Sequence, residues 1–413
     1  MTKHLKNWDK TKHLFLNWLS NCQIKYVFIQ NFKYENLSLW WINNLTFKDS
    51  MLDNSWYKNL YHHTNNFKNQ KIVKLNKFRF FSLIKKFFFT LLFTILCKLT
   101  FKKEKQKKKT TNCFLSFERN IAPYKKIHVE RQYGSFQFQN KKDSRFLIYL
   151  IPNLKTLLNL KKKNRNFSSM NFSFSILNRY VSIFDIFSIY LFTLFSYLKL
   201  KIFFNKDNYF FIENVNCSQI LKNLLESSFS GKIQDELIYG LALRRFLNDY
   251  KCSRFFNYCE FFNFSKSFYY FAKTSRNKIK IITINHFPYD KNNLFFSLHK
   301  RDFSHKKDFL KYSPKPDIFL TQGELYKKYL TKIFCSKKNI YAIGSLKSEL
   351  NQFSVKKEKP KKIINYKKLK KKIISIFLSS NSHINIIDQL RFVDLTNFYL
   401  IIRPHPFLKD IKQ

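Results

Sequence analysis

Glycine is scarce in this sequence, with five residues in a chain of 413. Loops that cradle phosphates, such as the GxGxxG turn and the P-loop, need several glycines close together. The chain has neither of them, and it also lacks the GxSxG elbow of hydrolases and the HExxH helix of metalloproteases. These absences exclude the commonest glycine-rich nucleotide-binding motifs and two large hydrolase classes.

The seven cysteines are scattered, odd in number and never spaced as CxxC. This spacing favours neither a zinc site nor a disulfide framework, and it predicts reduced thiols in a cytosolic compartment. We expect no bound metal and no organic cofactor. Because the first twelve residues are polar and charged, we also expect no secretory signal peptide.

Acidic residues are few as well: 26 Asp and Glu face 76 Lys and Arg, which gives a formal net charge of +50. Such a field attracts nucleic acid, anionic lipid headgroups and phosphorylated substrates. The chain has no zinc finger, RNP run or GxxG loop, so binding of nucleic acid is the least favoured of these interpretations. The 50 phenylalanines and the many lysines also reflect AT-rich codons.

Two apolar segments lie within 78–110 and 176–205. The apolar part of the first covers about fifteen residues between lysines, which is short against the roughly 20 needed to span a bilayer. The second is long enough, but Asp185 and Lys199 interrupt it. Buried helices and true spans stay open as alternatives, and we favour interfacial helices whose basic flanks meet anionic lipid.

From about residue 208 the pattern alternates between short strands and helices, which predicts a parallel α/β sheet. The predicted strands are 209–212, 254–258, 278–285, 317–321 and 340–343, and the predicted helices are 235–247, 265–272 and 324–333. The run 278–285 is nearly continuously apolar, as in strands buried on both faces. Upstream, 25–31 is predicted as a strand, and 111–175 as loops around one apolar stretch at 146–151.

A lysine-rich stretch then predicts a linker between two domains. We divide the chain into an N-terminal domain at 1–350, a basic linker at 351–372 and a partial C-terminal domain at 373–413. The last part holds predicted strands at 373–378 and 399–402 and a helix at 383–392. Two strands and one helix cannot bury a stable core, so we expect the chain to stop partway through this domain.

Polar residues follow several predicted strands, where open α/β sheets bind their ligands. Glu260 follows the strand 254–258, and Asn285 and His286 end the strand 278–285. Glu260 or His286 could act as a base, although a helix cap for the former and a plain loop histidine for the latter stay open.

Three later turns carry further candidates. Gly323 permits a tight strand-to-helix turn whose N–H groups could hold an anion, and Gly344 with Ser345 marks the hinge position of a two-domain transferase. Merely structural turns are equally compatible with both. Arg403 and His405, in a proline-fixed loop, could contact a phosphate.

Taken in order, these blocks resemble bacterial surface-carbohydrate biosynthesis proteins with a GT-B-like glycosyltransferase architecture. Leu37-Ser38-Leu39-Trp40-Trp41, followed by Lys48 and Tyr57, is similar to their "slWW…K" signature. Further similar blocks are 239–242, 258–262, 285–286, 295–296 and 344–345, and Arg403-Pro404-His405-Pro406 is like their (R/K)PHP element. The resemblance implies two Rossmann-type domains, the second incomplete here, with apolar and basic helices inserted in the first.

The resemblance also implies glycosyl transfer from a sugar nucleotide to a lipid-linked glycan, at the cytoplasmic face of the plasma membrane. The implied catalytic residues are Glu260 and His286, and the implied substrate and phosphate contacts are Asn285, Gly323, Gly344, Ser345, Arg403 and His405. Two alternatives remain: a non-catalytic truncated fragment or glycan-binding subunit, and a basic nucleic-acid-binding protein.

Overall fold

The structure, a computed structural model, forms two compact units, Met1–Ser354 and Val355–Gln413. It describes residues 2–44, 46, 80–101, 110–124, 127–134, 136, 143–170, 172–204, 211–212, 215–258, 262–285, 298–304, 307–334, 338–346, 372–377, 394 and 396–403. Each unit is taken by itself below.

The first unit is built on a seven-stranded sheet in which all neighbouring strands are parallel. In chain order the strands are β1 (Asn112–Phe117), β2 (Ser144–Tyr149), β3 (Ser173–Ile176), β4 (Arg254–Asn257), β5 (Lys280–Ile284), β6 (Ile318–Thr321) and β7 (Ile340–Ala342). Across the sheet they lie in the order β7-β6-β5-β4-β1-β2-β3. The fold is therefore α/β and Rossmann-like.

Helices flank this sheet. They are α1 (Thr2–Asn21), α2 (Gln23–Asn31), α3 (Phe80–Thr100), α4 (Leu154–Leu158), α5 (Leu160–Ser168), α6 (Ile183–Phe203), α7 (Ser218–Ser228), α8 (Lys232–Tyr250), α9 (Asn263–Lys273) and α10 (Glu324–Phe334). Three short antiparallel pairs accompany them, of which the hairpin Ile121–Tyr124 with Ile127–Glu130 adjoins the end of β1.

The sheet is buried on both faces, as its apolar strands predict. Successive side chains of a strand point to opposite faces. Cys113 and Leu115 accordingly join the core formed with α6 to α9, whereas Phe114 joins a second core with Phe256 and residues of α3 and α5. Each central strand therefore needs apolar cover from both sides.

Gly240 allows α8 and α9 to approach closely on one face. A Cβ at this position would lie 2.1 Å from the ring of Phe271 and 2.6 Å from Ser267 Oγ. Both neighbours are fully buried, and Ser267 Oγ donates a 2.6 Å hydrogen bond to Glu236 O. The two helices can pack at this distance only because position 240 has no side chain.

The second half of the sheet and its helices lie where the sequence predicted them. Strands β4 to β7 and helices α8 to α10 agree with the predicted ranges to within three residues at each end. The helix α3 covers the first apolar segment and α6 the second. By length and composition alone, both could cross a membrane, with 28% and 44% of their most apolar stretches buried.

Two predictions for the first half are wrong. Residues 25–31, predicted as a strand, lie in α2, where Ile24, Lys25 and Phe28 form a buried stripe at helical spacing. Residues 111–175, read as loops, supply β1, β2, β3, α4, α5 and the hairpin. Their strands are short and mix apolar residues with serine, asparagine or arginine, so sheet pairing overrode a weak local signal.

The second unit contains two described strands, β8 (Lys372–Phe377) and β9 (Phe398–Arg403), which pair in parallel. This pairing agrees with the two strands predicted there. The predicted helix at 383–392 and nearly all of the predicted linker at 351–372 lie outside the described residues. A second Rossmann-type domain remains a prediction.

Replacing Gly240 with Ala should destabilise the first unit by about 1–3 kcal/mol, because the added methyl group overpacks the contact between α8 and α9. Thermal or urea unfolding of the full chain measures the change. Gly323→Ala is the matched control, since a Cβ at position 323 has no atom within 4 Å. Equal stability of the two variants would show that α8 and α9 can separate without cost.

Candidate functional site

The sheet reverses its order between β1 and β4. The chain runs from β1 through β2 to β3 at one edge, then returns to the other side of β1 and continues from β4 to β7. Open parallel sheets bind ligands at the carboxyl ends of the strands where such a reversal occurs. We call this place, formed by residues 116–120, 130–133 and 258, the switch point.

Two tyrosines tie β1 and β4 together at the switch point. The Tyr258 hydroxyl accepts hydrogen bonds from Phe117 N at 3.0 Å and from the side-chain amide of Asn120. The Tyr133 hydroxyl lies 2.6 Å from Leu115 O and 3.1 Å from Phe256 O. Both side chains are buried, so this end of the strand pair is fixed in place.

Glu130 is a fully buried carboxyl group beneath the switch point. Its Oε2 accepts hydrogen bonds from Gln132 N at 2.7 Å and Tyr133 N at 2.9 Å, and its Oε1 accepts one from Ser116 Oγ at 3.2 Å. Burial raises the pKa of Glu130 to about 8, although these hydrogen bonds favour the charged form. The group can therefore hold a proton near neutral pH.

Glu118, the first residue after β1, makes structural contacts. Its Oε1 accepts a 2.8 Å hydrogen bond from Thr156 Oγ1, and its Oε2 pairs with Lys163 Nζ at 2.9 Å. These contacts join the end of β1 to α4 and α5. Glu118 therefore fixes the carboxyl end of β1 relative to these two helices.

A second group of charges lies where α8 begins. Because α8 leads into β4, its first turn lies toward the carboxyl edge of the sheet. Lys86 Nζ of α3 pairs with Asp235 Oδ2 at 2.5 Å and donates to Gly231 O at 2.7 Å. Burial raises the pKa of Asp235, and the charge of Lys86 opposes this shift.

Glu236, the next residue, is the more exceptional acid. Burial raises its pKa to about 8. The positive charges of Lys232 and of Lys266 on α9 lower the pKa and oppose this shift. Its Oε2 accepts no hydrogen bond from the described residues. A buried carboxyl oxygen without such a partner is uncommon in folded proteins.

Asn285, predicted as a substrate contact, lies at the end of β5. Its side chain is buried, its backbone N–H donates to Leu320 O at 2.8 Å, and its Oδ1 accepts from Gln322 N at 3.4 Å. These bonds hold the ends of β5 and β6 together. In this structure the side chain has at least a structural role.

The two predicted glycine turns differ. Gly344 has φ 78°, a left-handed conformation that favours glycine, and it turns the chain after β7 ahead of Ser345. Gly323 precedes α10 with φ outside that region and with open space around it. The turn before α10 therefore has room for a Cβ, and the predicted contact of its N–H groups with an anion stays a prediction.

The remaining predicted site residues lie at or beyond the limits of the described part. Glu260, His286 and His405 are outside the described residues, and Arg403 is the last residue of β9. Glu260 follows Tyr258 by two positions and His286 follows Asn285 directly. Among the described residues no group of three or more His, Cys, Asp or Glu could hold a metal ion.

The Trp-Trp block is part of the core. Ser38 Oγ accepts from Trp40 N at 3.2 Å, and both Trp40 and Trp41 are buried. Asn43, just after the block, accepts at its backbone oxygen a 2.8 Å hydrogen bond from Asn263 at the start of α9. The segment that follows the block therefore contacts the start of α9, which lies toward the carboxyl edge of the sheet.

Sequence reasoning missed Glu130 and Glu236 as site residues. In a chain with 26 acidic and 76 basic residues, an acid that ends an alternating stretch, as in Ile127–Glu130, was an available signal. Glu236 lay inside a predicted helix whose early acids were attributed to the helix dipole. That explanation holds for exposed acids, whereas Glu236 is buried.

Comparison with known proteins adds no family. No family model matches the chain, and no curated protein is significantly similar to it. The likeness to surface-carbohydrate biosynthesis proteins consequently depends on the short motifs described above.

The pKa of Glu130 makes stability depend on pH. The unfolded carboxyl titrates near 4.5 and the folded one near 8, so the folded state retains a proton between these values. The free energy of unfolding should therefore fall as pH rises from about 4.5 to about 8, and Glu130→Gln should reduce this slope by up to about 1.4 kcal/mol per pH unit. Urea unfolding across this range measures it.

Glu324→Gln on the exposed start of α10 is the control for this experiment and should keep the wild-type slope. Glu236 contributes a slope of the same sign in both variants, so Glu130→Gln reduces the dependence without abolishing it. Identical slopes in Glu130→Gln and wild type would contradict a proton on Glu130.

Proposed function

We propose that this chain acts in bacterial surface-polysaccharide assembly as a glycosyltransferase-like protein. A sugar nucleotide would be the donor and a lipid-linked glycan the acceptor, with the reaction at the cytoplasmic face of the plasma membrane. The observation that carries the proposal is the Rossmann-like parallel sheet, whose switch point carries buried acids and fixed hydroxyl groups.

The positions of the strands favour Glu260 over His286 as the base. Glu260 comes two residues after Tyr258, whose hydroxyl is bound at the end of β1. His286 follows β5, one strand farther from the reversal. Ligands of such sheets lie against the two strands at the reversal, which are β1 and β4 here.

The proposed chemistry needs a base, a leaving group and positive charge. The base takes the proton of the acceptor hydroxyl, the oxygen attacks the anomeric carbon, and the bond from that carbon to the diphosphate breaks. Basic groups stabilise the departing nucleoside diphosphate, for which Arg403 and His405 are the proposed contacts in the second unit.

Glu260→Gln in the full chain should lower turnover about 10²- to 10⁴-fold, because the amide cannot accept the hydroxyl proton. The assay follows release of nucleoside diphosphate from a panel of sugar nucleotides, in the presence of lipid-linked glycans extracted from bacterial membranes. Glu226→Gln, on α7, is the matched control and should keep full turnover.

Three other results would redirect the proposal. Unchanged turnover in Glu260→Gln would remove this residue from the chemistry. Binding of glycan without release of nucleoside diphosphate by the wild type would favour the glycan-binding alternative. Strongly salt-dependent binding of RNA or DNA, without binding of sugar nucleotide, would favour the nucleic-acid alternative.

A further inference from the structure

The helix α6 has an inverted polarity. Several of its polar side chains point inward: Asp185 pairs with both terminal guanidinium nitrogens of Arg245, and Thr193 Oγ1 accepts a 2.9 Å hydrogen bond from Gln234. Its outward side is apolar, with Phe184, Phe187, Leu191, Phe195, Leu198 and Ile202 exposed by 46% to 78%. A helix of a soluble domain normally has the opposite arrangement.

The helix α3 repeats this pattern. Thr90, Phe93, Thr94 and Cys97 are buried, whereas Phe81, Ile84, Phe88, Leu92, Ile95 and Leu99 are exposed. The exposed positions recur every three or four residues, so they form one stripe along the helix.

The two helices pack against each other. The ring of Phe87 lies 5.0 Å from that of Phe187 and 5.2 Å from that of Tyr190, and Thr90 Oγ1 lies 3.4 Å from the Tyr190 hydroxyl. We call the twelve outward side chains the two-helix apolar face. Its exposed area, on the order of 1,000 Å², exceeds the largest apolar patch of a typical soluble monomer.

Lysines accompany this face on the two helices and follow α3 in the sequence. Lys85, Lys199 and Lys201 are exposed on the same helices, and six of the eight residues at 102–109, which follow α3, are lysines. A second copy of the chain would bring the same lysines and another formal charge of +50 against them. An anionic lipid surface provides both an apolar layer and the opposite charge.

A cavity of about 310 Å³, lined by polar and apolar side chains in similar measure, lies at the end of α3, beside the residues that precede α6. Its lining includes Arg179, Asn164, Ser168 and Tyr180, together with Thr100 and Phe101 at the end of α3. Arg179 Nη1 donates to Lys98 O at 3.4 Å, which keeps the guanidinium group beside the end of α3. The volume and the cation suit a phosphate-bearing headgroup.

We propose that the two-helix apolar face docks on an anionic lipid membrane. The twelve apolar side chains enter the region between headgroups and acyl chains, the lysines meet the anionic surface, and a lipid phosphate occupies the cavity at Arg179. The docking is independent of glycosyl transfer. Lys86 of the docked helix α3 pairs with Asp235, so the docked helix contacts the first turn of α8.

Flotation of the full-length chain with vesicles tests the proposal. Wild type should float with vesicles of phosphatidylcholine mixed with phosphatidylglycerol, and more weakly with phosphatidylcholine alone. The double variant Phe88→Ser with Phe195→Ser should lose at least about tenfold in partition, since it removes two large side chains from the apolar layer. Leu325→Ser on α10, whose leucine is 67% exposed, is the matched control and should float like wild type.

Arg179→Gln tests the headgroup contact separately. It should weaken binding to both vesicle types, because both lipids carry a phosphate, and more strongly where phosphatidylglycerol is present, since no choline compensates the charge of its phosphate. Binding of inorganic phosphate that Arg179→Gln abolishes, together with unchanged flotation of this variant on both vesicle types, would assign the cavity to a soluble phosphate. That result would overturn the proposed headgroup contact.

Two results would overturn the docking face. The first is undiminished flotation of the double variant, which would place the membrane contact elsewhere. The second is a wild-type dimer in solution that the double variant converts to a monomer, since a second copy would then cover the face. Neither measurement requires transferase activity, so failure of the docking and failure of the proposed reaction are distinguishable.

Discussion

The contact between β1 and β4 is the constraint on which the rest of the first unit depends. The rings of Phe114 and Phe256 stack at 4.5 Å across this strand pair, within a core where most side chains are large. The Tyr133 hydroxyl bridges the same two strands from the side of the hairpin. Because the sheet reverses its order at this pair, the position of β1 and β4 determines where the switch point lies.

The carboxyl edge of the sheet is electrostatically unusual for so basic a chain. Glu130, Asp235 and Glu236 have raised pKa values because burial disfavours their charged forms. Acids are scarce in the sequence, yet Glu130 and Glu236 are buried near one end of the sheet, and Asp235 is half-buried beside them. Raised pKa values cluster at functional sites, although structural networks also produce them. Glu130 accepts several hydrogen bonds, as a structural group does. Glu236 has one carboxyl oxygen that accepts no hydrogen bond from the described residues.

The sequence predicted the half of the sheet whose strands are continuous and apolar. Lys280–Ile284 contains three isoleucines and is buried at every position after the first, so local pattern and tertiary burial agree. The strand Asn112–Phe117 follows a lysine run and contains the polar residues Asn112 and Ser116, and only pairing with two neighbours makes it a central strand. Glu236 could not be recognised as buried, because its burial depends on α3 and α9, which are distant in sequence.

The order of synthesis adds a consequence for this topology. Asn112 pairs with Arg254, so the central contact closes only after about 140 further residues have been made, which is a long separation for a sheet contact. Until then one edge of β1 has no partner, although β2 can already pair with its other edge. A nascent chain with such an open, phenylalanine-rich edge is prone to pair with other chains. Slow translation before β4, or a chaperone bound to this edge, would therefore decide how much of the protein reaches its native fold.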